Sequence, residues 1–296
     1  MIGVFDSGHG GLTVLQALRD VLPGRGFVYF GDHGAAPYGN RSRDEIYDLT
    51  RTATETLFRL GCRLVVLACN TAASTSLRRL QQEWLPRTHP DRRVLGVVVP
   101  MVEAVTGVPW MADTQAPDTV TRTVAIFATH QTVESNAFPV EIGKRAPGIR
   151  VVQQACPRLV DLIEAGAPRA RMAAVVDHDV GQLLARMAGT APDVVLLACT
   201  HYPLVYDLFA AALPPGVTIL SQPVQVARSL AAYLERHPDL DPPAPAVPPR
   251  YLTSGNTALV SGLASRFLGR PMTFEDVAAA VGRRSTAPDV ELVTNP

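Results

Sequence analysis

Two stretches decide the fold: "LVVLACNTAAS" at Leu64–Ser74 and "VVLLACTHYPL" at Val194–Leu204. Each is a continuous apolar run that ends in Ala-Cys and then passes into small polar residues. An apolar run of this length, with no alternation, is how a strand buried on both faces of a parallel sheet reads. The polar residues that follow favour turns and helix N-caps. Each cysteine is therefore expected at a strand's C-terminal exit, beside a helix start, where a thiol's pKa falls below its ordinary value. A lone cysteine in an apolar run is read as packing. Cys62 and Cys156 keep that reading. Cys69 and Cys199 do not, because they occupy matched positions in matched motifs.

Working outward, the pattern repeats. Predicted strands are Ile2–Phe5, Phe27–Phe30, Leu64–Ala68, Val94–Val98, Val124–Ala128, Ile149–Gln153, Val194–Ala198, Thr218–Leu220 and Tyr251–Thr253. Helical patterns lie between them at Leu12–Val21, Arg43–Leu60, Ser74–Trp84, Pro157–Ala165, Arg169–Ala188 and Val224–Arg236. Alternating strands and helices argue for an α/β fold with parallel sheets. "GVFDSGHGGLTVLQAL" from Gly3 and "VAIFATHQTVESNAF" from Val124 are both strand, polar loop and helix, and each is followed by one cysteine-tipped strand. Ligands bind at the C-terminal ends of such strands, so two facing half-sites would make a cleft. The proline-rich "DPPAPAVPPR" (Asp241–Arg250) reads as a solvated linker, and the tail from Arg283 as weakly ordered.

Bulk properties narrow the function classes. The chain has 296 residues and is 47% hydrophobic, enough for one large core or two ordinary ones. Its 27 Lys+Arg balance 27 Asp+Glu, so no nucleic-acid footprint or polybasic membrane patch is expected. No apolar run approaches the roughly 20 residues of a membrane span. "MIGVFDSG" has neither the basic nor the apolar region of a secretory leader, so a cytoplasmic location is expected. Four scattered cysteines make no disulfide framework, and no C-x-x-C pair or His cluster suggests a metal.

Two thiols on opposite walls of a cleft suit inversion of a carbon stereocentre, with a base on one face and an acid on the other. A cysteine hydrolase needs one nucleophile and a base, not a symmetric pair. In "FDSGHGG" (Phe5–Gly11) the glycines Gly8, Gly10 and Gly11 would let backbone approach a ligand at a helix start. Asp6 there is placed to hold an ammonium or accept a thiol's proton. Tyr38 and Gly39 sit in a Gly/Pro loop, and Thr129, Thr132 and Ser135 read as donors or helix caps.

These residues resemble the bacterial glutamate racemases of the Asp/Glu racemase superfamily, nearly end to end. The resemblance is carried by "GVFDSGHGGLTVL", "YFGDHGAAPYGNRS", "LACNTAAS", "ATHQTVESNAF", "ACPRLVDLIEAG", "LLACTHYPLV" and "YLTSGNTALVSGLASRFLG". It implies two pseudo-symmetric parallel-sheet α/β domains, residues 1–97 plus 207–296 and residues 98–206, with the active site in the cleft between them. It implies L-/D-glutamate interconversion without a cofactor or metal, connected to D-glutamate supply for peptidoglycan. Cys69 would act on the D-isomer and Cys199 on the L-isomer. Asp6 and His201 would assist them, with Glu164 an acidic group near His201. Substrate contacts carried over are Asp6, Ser7, Tyr38, Gly39, Asn70, Thr71, Thr200 and His201, with Thr129 and Thr132. The small-molecule substrate is the partner expected. The family is often dimeric, and the chain is compatible with a homodimer.

The chain departs from the family pattern at His33, where threonine is common, in lacking an arginine between Asp32 and Pro37, at Val99 and Met101, and in "NTAAS" after Cys69. These bear on loop conformation, subunit contacts and regulation. Other readings are an aspartate racemase using the same two thiols, a decarboxylase or hydantoin racemase relative, and a non-catalytic amino-acid-binding protein on the same fold. A decarboxylase would not need both thiols. The full set Asp6, Cys69, Cys199 and His201 argues against the binding protein.

Overall fold

The computed structural model describes residues 1–110, 115, 121–241 and 248–285. Ten strands form two fully parallel sheets among these residues: β1 Ile2–Asp6, β2 Phe27–Gly31, β3 Leu64–Leu67, β4 Arg93–Gly96, β5 Arg122–Ala128, β6 Ile149–Ala155, β7 Val194–Ala198, β8 Thr218–Ser221, β9 Arg250–Thr253 and β10 Glu275–Asp276. The first sheet runs β10-β9-β2-β1-β3-β4 and the second β6-β5-β7-β8. Every pairing is parallel. The expected α/β fold is present.

The two sheets share one plan. The order β2-β1-β3-β4 in the first is matched by β6-β5-β7-β8 in the second. β1 and β5 are the equivalent central strands, and β3 and β7 their equivalent neighbours. β1, β2, β3 and β7 are buried at every residue, which is why they read as unbroken apolar runs. β4, β6 and β8 lie at sheet edges and are partly exposed. β9 and β10 are additions from the C-terminal part of the chain.

Most predicted elements are found within a residue or two of their expected bounds. Val94–Val98 is a correction: the strand ends at Gly96, and Val98–Thr106 is a helix. The valines there pack a helix against Ala137–Arg145 and Gln222–Arg236, so tertiary burial overrides their β preference. The helix expected from Ser74 begins at Asn70 and runs to Arg79, followed by a wider turn at Leu80–Trp84. β8 lies past residue 207, the expected return point, and is bonded to β7 in the second sheet. Residues 242–247 of the proline-rich stretch and the tail beyond 285 lie outside the described residues. Arg283 itself is within the helix Val277–Ser285. No helix among the described residues is long and apolar enough to cross a membrane.

Candidate active site

The shared plan brings the two thiols to equivalent places. Cys69 follows β3 and Cys199 follows β7, each at the C-terminal end of the strand beside the central one. Both line one cleft of about 590 Å³, open to solvent. Ser7, Tyr38, Gly39, Asn70, Thr71, Thr129, Thr200 and His201 also line it. Asp6, Glu164 and Thr132 do not. Asp6 is wholly buried and Thr132 is buried behind Thr129, while Glu164 contacts His201. Ser135 bonds backbone away from the cleft, donating to the Thr132 carbonyl and accepting from the Ala137 N–H. No lysine or arginine lines the cleft among the described residues.

Cys69 is the N-cap of the helix Asn70–Arg79. Its Sγ accepts from the Ala72 N–H at 3.5 Å and lies 3.4 Å from Ser7 Oγ. The sequence predicts a lowered thiol pKa here, and the structure reverses that. Burial pushes the Cys69 thiol up to about 12, the Asp6 carboxylate adds to the rise, and the Ser7 and Ala72 hydrogen bonds offset only part. The helix start supplies an amide, but desolvation outweighs it.

Asp6 ends β1 beneath the cleft. Its Oδ1 accepts from the Gly8 N–H at 2.9 Å and its Oδ2 from the Thr200 hydroxyl at 3.3 Å. Burial raises its carboxyl pKa, against the opposing pull of His201 and the backbone amides of Gly8 and Gly11. Thr13 donates to the Thr200 carbonyl at 3.2 Å. Residues on either side of the β1 loop thus hold the segment that carries Cys199.

The glycines of "SGHGG" make room for the site's own side chains. A Cβ on Gly10 would collide with Thr200 Oγ1 and sit 2.6 Å from His201 Nδ1. One on Gly11 would sit 2.5 Å from Asp6 Cβ, and one on Gly8 3.2 Å from Glu164 Oε1.

On the Cys199 side, Sγ lies 3.8 Å from His201 Nδ1, and His201 Nε2 lies 2.6 Å from Glu164 Oε1. Burial alone would lower the His201 pKa. Cys199 and Glu164 outweigh it and hold the ring well above 6.5. Burial likewise pushes Glu164 up, but hydrogen bonds and charge from His201 and His9 win and hold it below the usual carboxylate range. The pair is therefore an imidazolium against a carboxylate, with the Cys199 sulfur facing the other ring nitrogen.

Hydroxyls and amides close the cleft's other wall. Thr71 Oγ1 and Thr129 Oγ1 are 3.0 Å apart, and Thr129 donates to Thr132 at 3.0 Å. Thr129 is also the N-cap of His130–Ser135, accepting from the Thr132 N–H. Tyr38 is buried and donates to Asp32 Oδ2 at 2.6 Å, while Ser254 donates to Asp32 Oδ1 at 2.5 Å. Asn70 and Gln222 exchange two amide hydrogen bonds, at 2.6 and 2.7 Å. Asn70's side-chain amide is thus already paired.

Several site residues escape the sequence reading. Cys156 is buried but also lines the cleft, beside Pro157, Val160 and Asp161. Gln222, before a proline at a helix start, gave only a capping-type signal. His9 gave one faint signal, a large ring in a loop of otherwise small residues. His33 sits beneath it, the two rings 4.2 Å apart. Burial and the neighbouring His9 lower the His33 pKa to about 4.

A pair of thiols flanking one cleft, one beside a buried carboxylate and one beside an imidazolium–carboxylate pair, can remove and return a proton. Comparisons with known proteins identify the family. The glutamate racemase of Phenylobacterium zucineum is 46% identical over 281 residues, 93% of this chain and 99% of that one. Among solved structures, the glutamate racemase of Thermus thermophilus in complex with β-chloro-D-alanine has 32% identity and a TM-score of 0.75, covering 93% of this chain and 95% of that one. That of Francisella tularensis in complex with D-glutamate has 25% identity and a TM-score of 0.76, covering 92% and 95%. No family model matches the chain. With relatives this similar over nearly its whole length, and with the architecture of the solved structures, the chain belongs to the glutamate racemase family.

Proposed function

We propose that the protein interconverts L- and D-glutamate by two-base proton transfer at Cα, without a cofactor, supplying D-glutamate for peptidoglycan synthesis. The observation that carries the reading is the repeated strand order, which brings Cys69 and Cys199 to equivalent strand ends in one cleft. The two domains are residues 1–97 plus 222–296 and 98–221, the expected return at 207 being moved past β8 to keep that strand with its sheet.

Cys199 removes the α-proton of L-glutamate, and Cys69 delivers a proton to the opposite face. The reverse reaction exchanges the roles. Burial favours a protonated Cys69, which is the acid needed when turnover starts from the L-isomer. His201, held by Glu164, exchanges a proton with Cys199, and Asp6 serves as the buried acceptor near Cys69. The α-proton is weakly acidic, so the developing carbanion needs preorganised donors in a water-poor site. Hydroxyls of Ser7, Thr71, Thr129 and Thr200 are suited to bind the carboxylates. Asn70 contributes mainly by holding the Cys69 helix in place.

The test uses wild type, Cys69→Ser and Cys199→Ser with L- and D-glutamate, and aspartate alongside, in deuterated solvent with no added cofactor. Acid–base groups of this kind contribute about 10²- to 10⁴-fold. Each variant should lose racemisation by at least about 100-fold, with deuterium appearing at Cα in wild type. A variant that racemises like wild type refutes the two-base reading, and faster turnover of aspartate refutes the substrate.

A further inference from the structure

We infer that His9 is a positioning residue that clamps Glu164, and through it His201, against Cys199. The inference rests on the proposed two-thiol chemistry and adds a residue from the other half of the molecule.

His9 belongs to the loop between β1 and the helix Gly11–Val21, in the first sheet's half, and is buried. Its Nδ1 lies 2.8 Å from Glu164 Oε2, and its backbone N–H donates to Oε1 at 3.5 Å. Its Nε2 lies 3.2 Å from the carbonyl of Val260, in the helix Thr257–Leu268. The other oxygen of Glu164 meets His201. A continuous line therefore runs from the Val260 carbonyl through His9, Glu164 and His201 to the Cys199 sulfur.

Both nitrogens of His9 face acceptors. The Glu164 carboxylate is gripped from both ends, by one imidazole from each half of the molecule. Glu164 held by His201 alone would be free to turn about its side-chain torsions. Gripped by two rings it presents one fixed oxygen to His201 Nε2, so that Nδ1 stays aimed at sulfur. Phe267 packs near both rings, at 6.2 Å from His9 and 6.1 Å from His201, and His33 covers His9 from another side. Such supporting contacts fix the geometry of groups that touch substrate.

The test compares His9→Leu, which removes the clamp, with His9→Asn, whose amide can donate near the position of Nδ1. Two readouts are taken: kcat and KM for glutamate, and the rate of iodoacetamide alkylation at Cys69 and Cys199 separately, by peptide mass spectrometry. His9→Leu is expected to lower kcat by about 10-fold or more with KM little changed, and to slow alkylation at Cys199 but not at Cys69. His9→Asn should recover most of both. Unchanged kcat and Cys199 alkylation in His9→Leu overturn the inference. So does equal impairment of the two variants, or an equal change at both cysteines, which would mark general loosening. If wild type fails to racemise glutamate, the proposed function falls, while Cys199-selective alkylation still decides the role of His9.

Discussion

Replacing Gln222 by leucine should expose how much the cleft depends on its amide clasp. Gln222 and Asn70 are both buried and satisfy each other through two hydrogen bonds. Leucine has similar bulk but leaves the Asn70 Nδ2 and Oδ1 without partners. An orphaned buried polar group costs about 1–3 kcal/mol. Two are orphaned here, but Asn70 borders the cleft, so water recovers part, leaving a net cost of about 2 kcal/mol. Asn70→Leu should cost about the same for the converse reason. The double variant carries no unpaired amide and should lie within about 1 kcal/mol of wild type. The singles sum to about 4, so the coupling is about 3 kcal/mol. Urea unfolding, followed by the fluorescence of Trp84 and Trp110, measures all four proteins. A double variant that loses the full sum of the singles would refute the pairing. So would a Gln222→Leu protein as stable as wild type.

Gly10→Ala should cut turnover at least about 100-fold, since the added methyl would push Thr200 and His201 away from the thiol they serve. Steady-state kinetics check it, and wild-type kcat in this variant would show that the close approach is dispensable. The Glu164–His201 pair also predicts a pH signature. Glu164 is depressed from 4.5, so its contribution is full above that value and fades as pH falls toward its folded pKa. His201 is raised from 6.5, so its contribution is full below that value and fades as pH rises toward its folded pKa. The stability gap between wild type and Glu164→Gln should therefore peak between 4.5 and 6.5. Urea midpoints across pH measure it, and a gap independent of pH would contradict the assigned charges.

The two sheets were legible because their inner strands are covered on both faces, which leaves long unbroken apolar runs. Leu64–Leu67 and Val194–Ala198 are the clearest cases. The same logic misleads at Val97 and Val98, where β-branched residues lead into and open a helix instead. Cys69, Cys199, Asp6 and His201 were legible because each sits at a strand end in a recognisable motif. Glu164 was reachable only through resemblance, since a carboxylate at the end of an ordinary helix carries no local mark. His9 and Gln222 act through partners 155 and 152 positions away, and no pattern along the chain signals such a pairing. The Cys69 pKa was misjudged because sequence reveals the helix start but not the depth of burial.

The glycines pressed against Thr200, His201 and Glu164 also constrain how this molecule can be recombined. The β1 loop is a mould whose casting lies in the other half of the chain. A chimera that takes the first half from one relative and the second from another would join a mould to a foreign casting, unless residues 6–11 travel with Glu164 and the Cys199–His201 segment. The smallest exchangeable piece is therefore a contact between halves, not a domain.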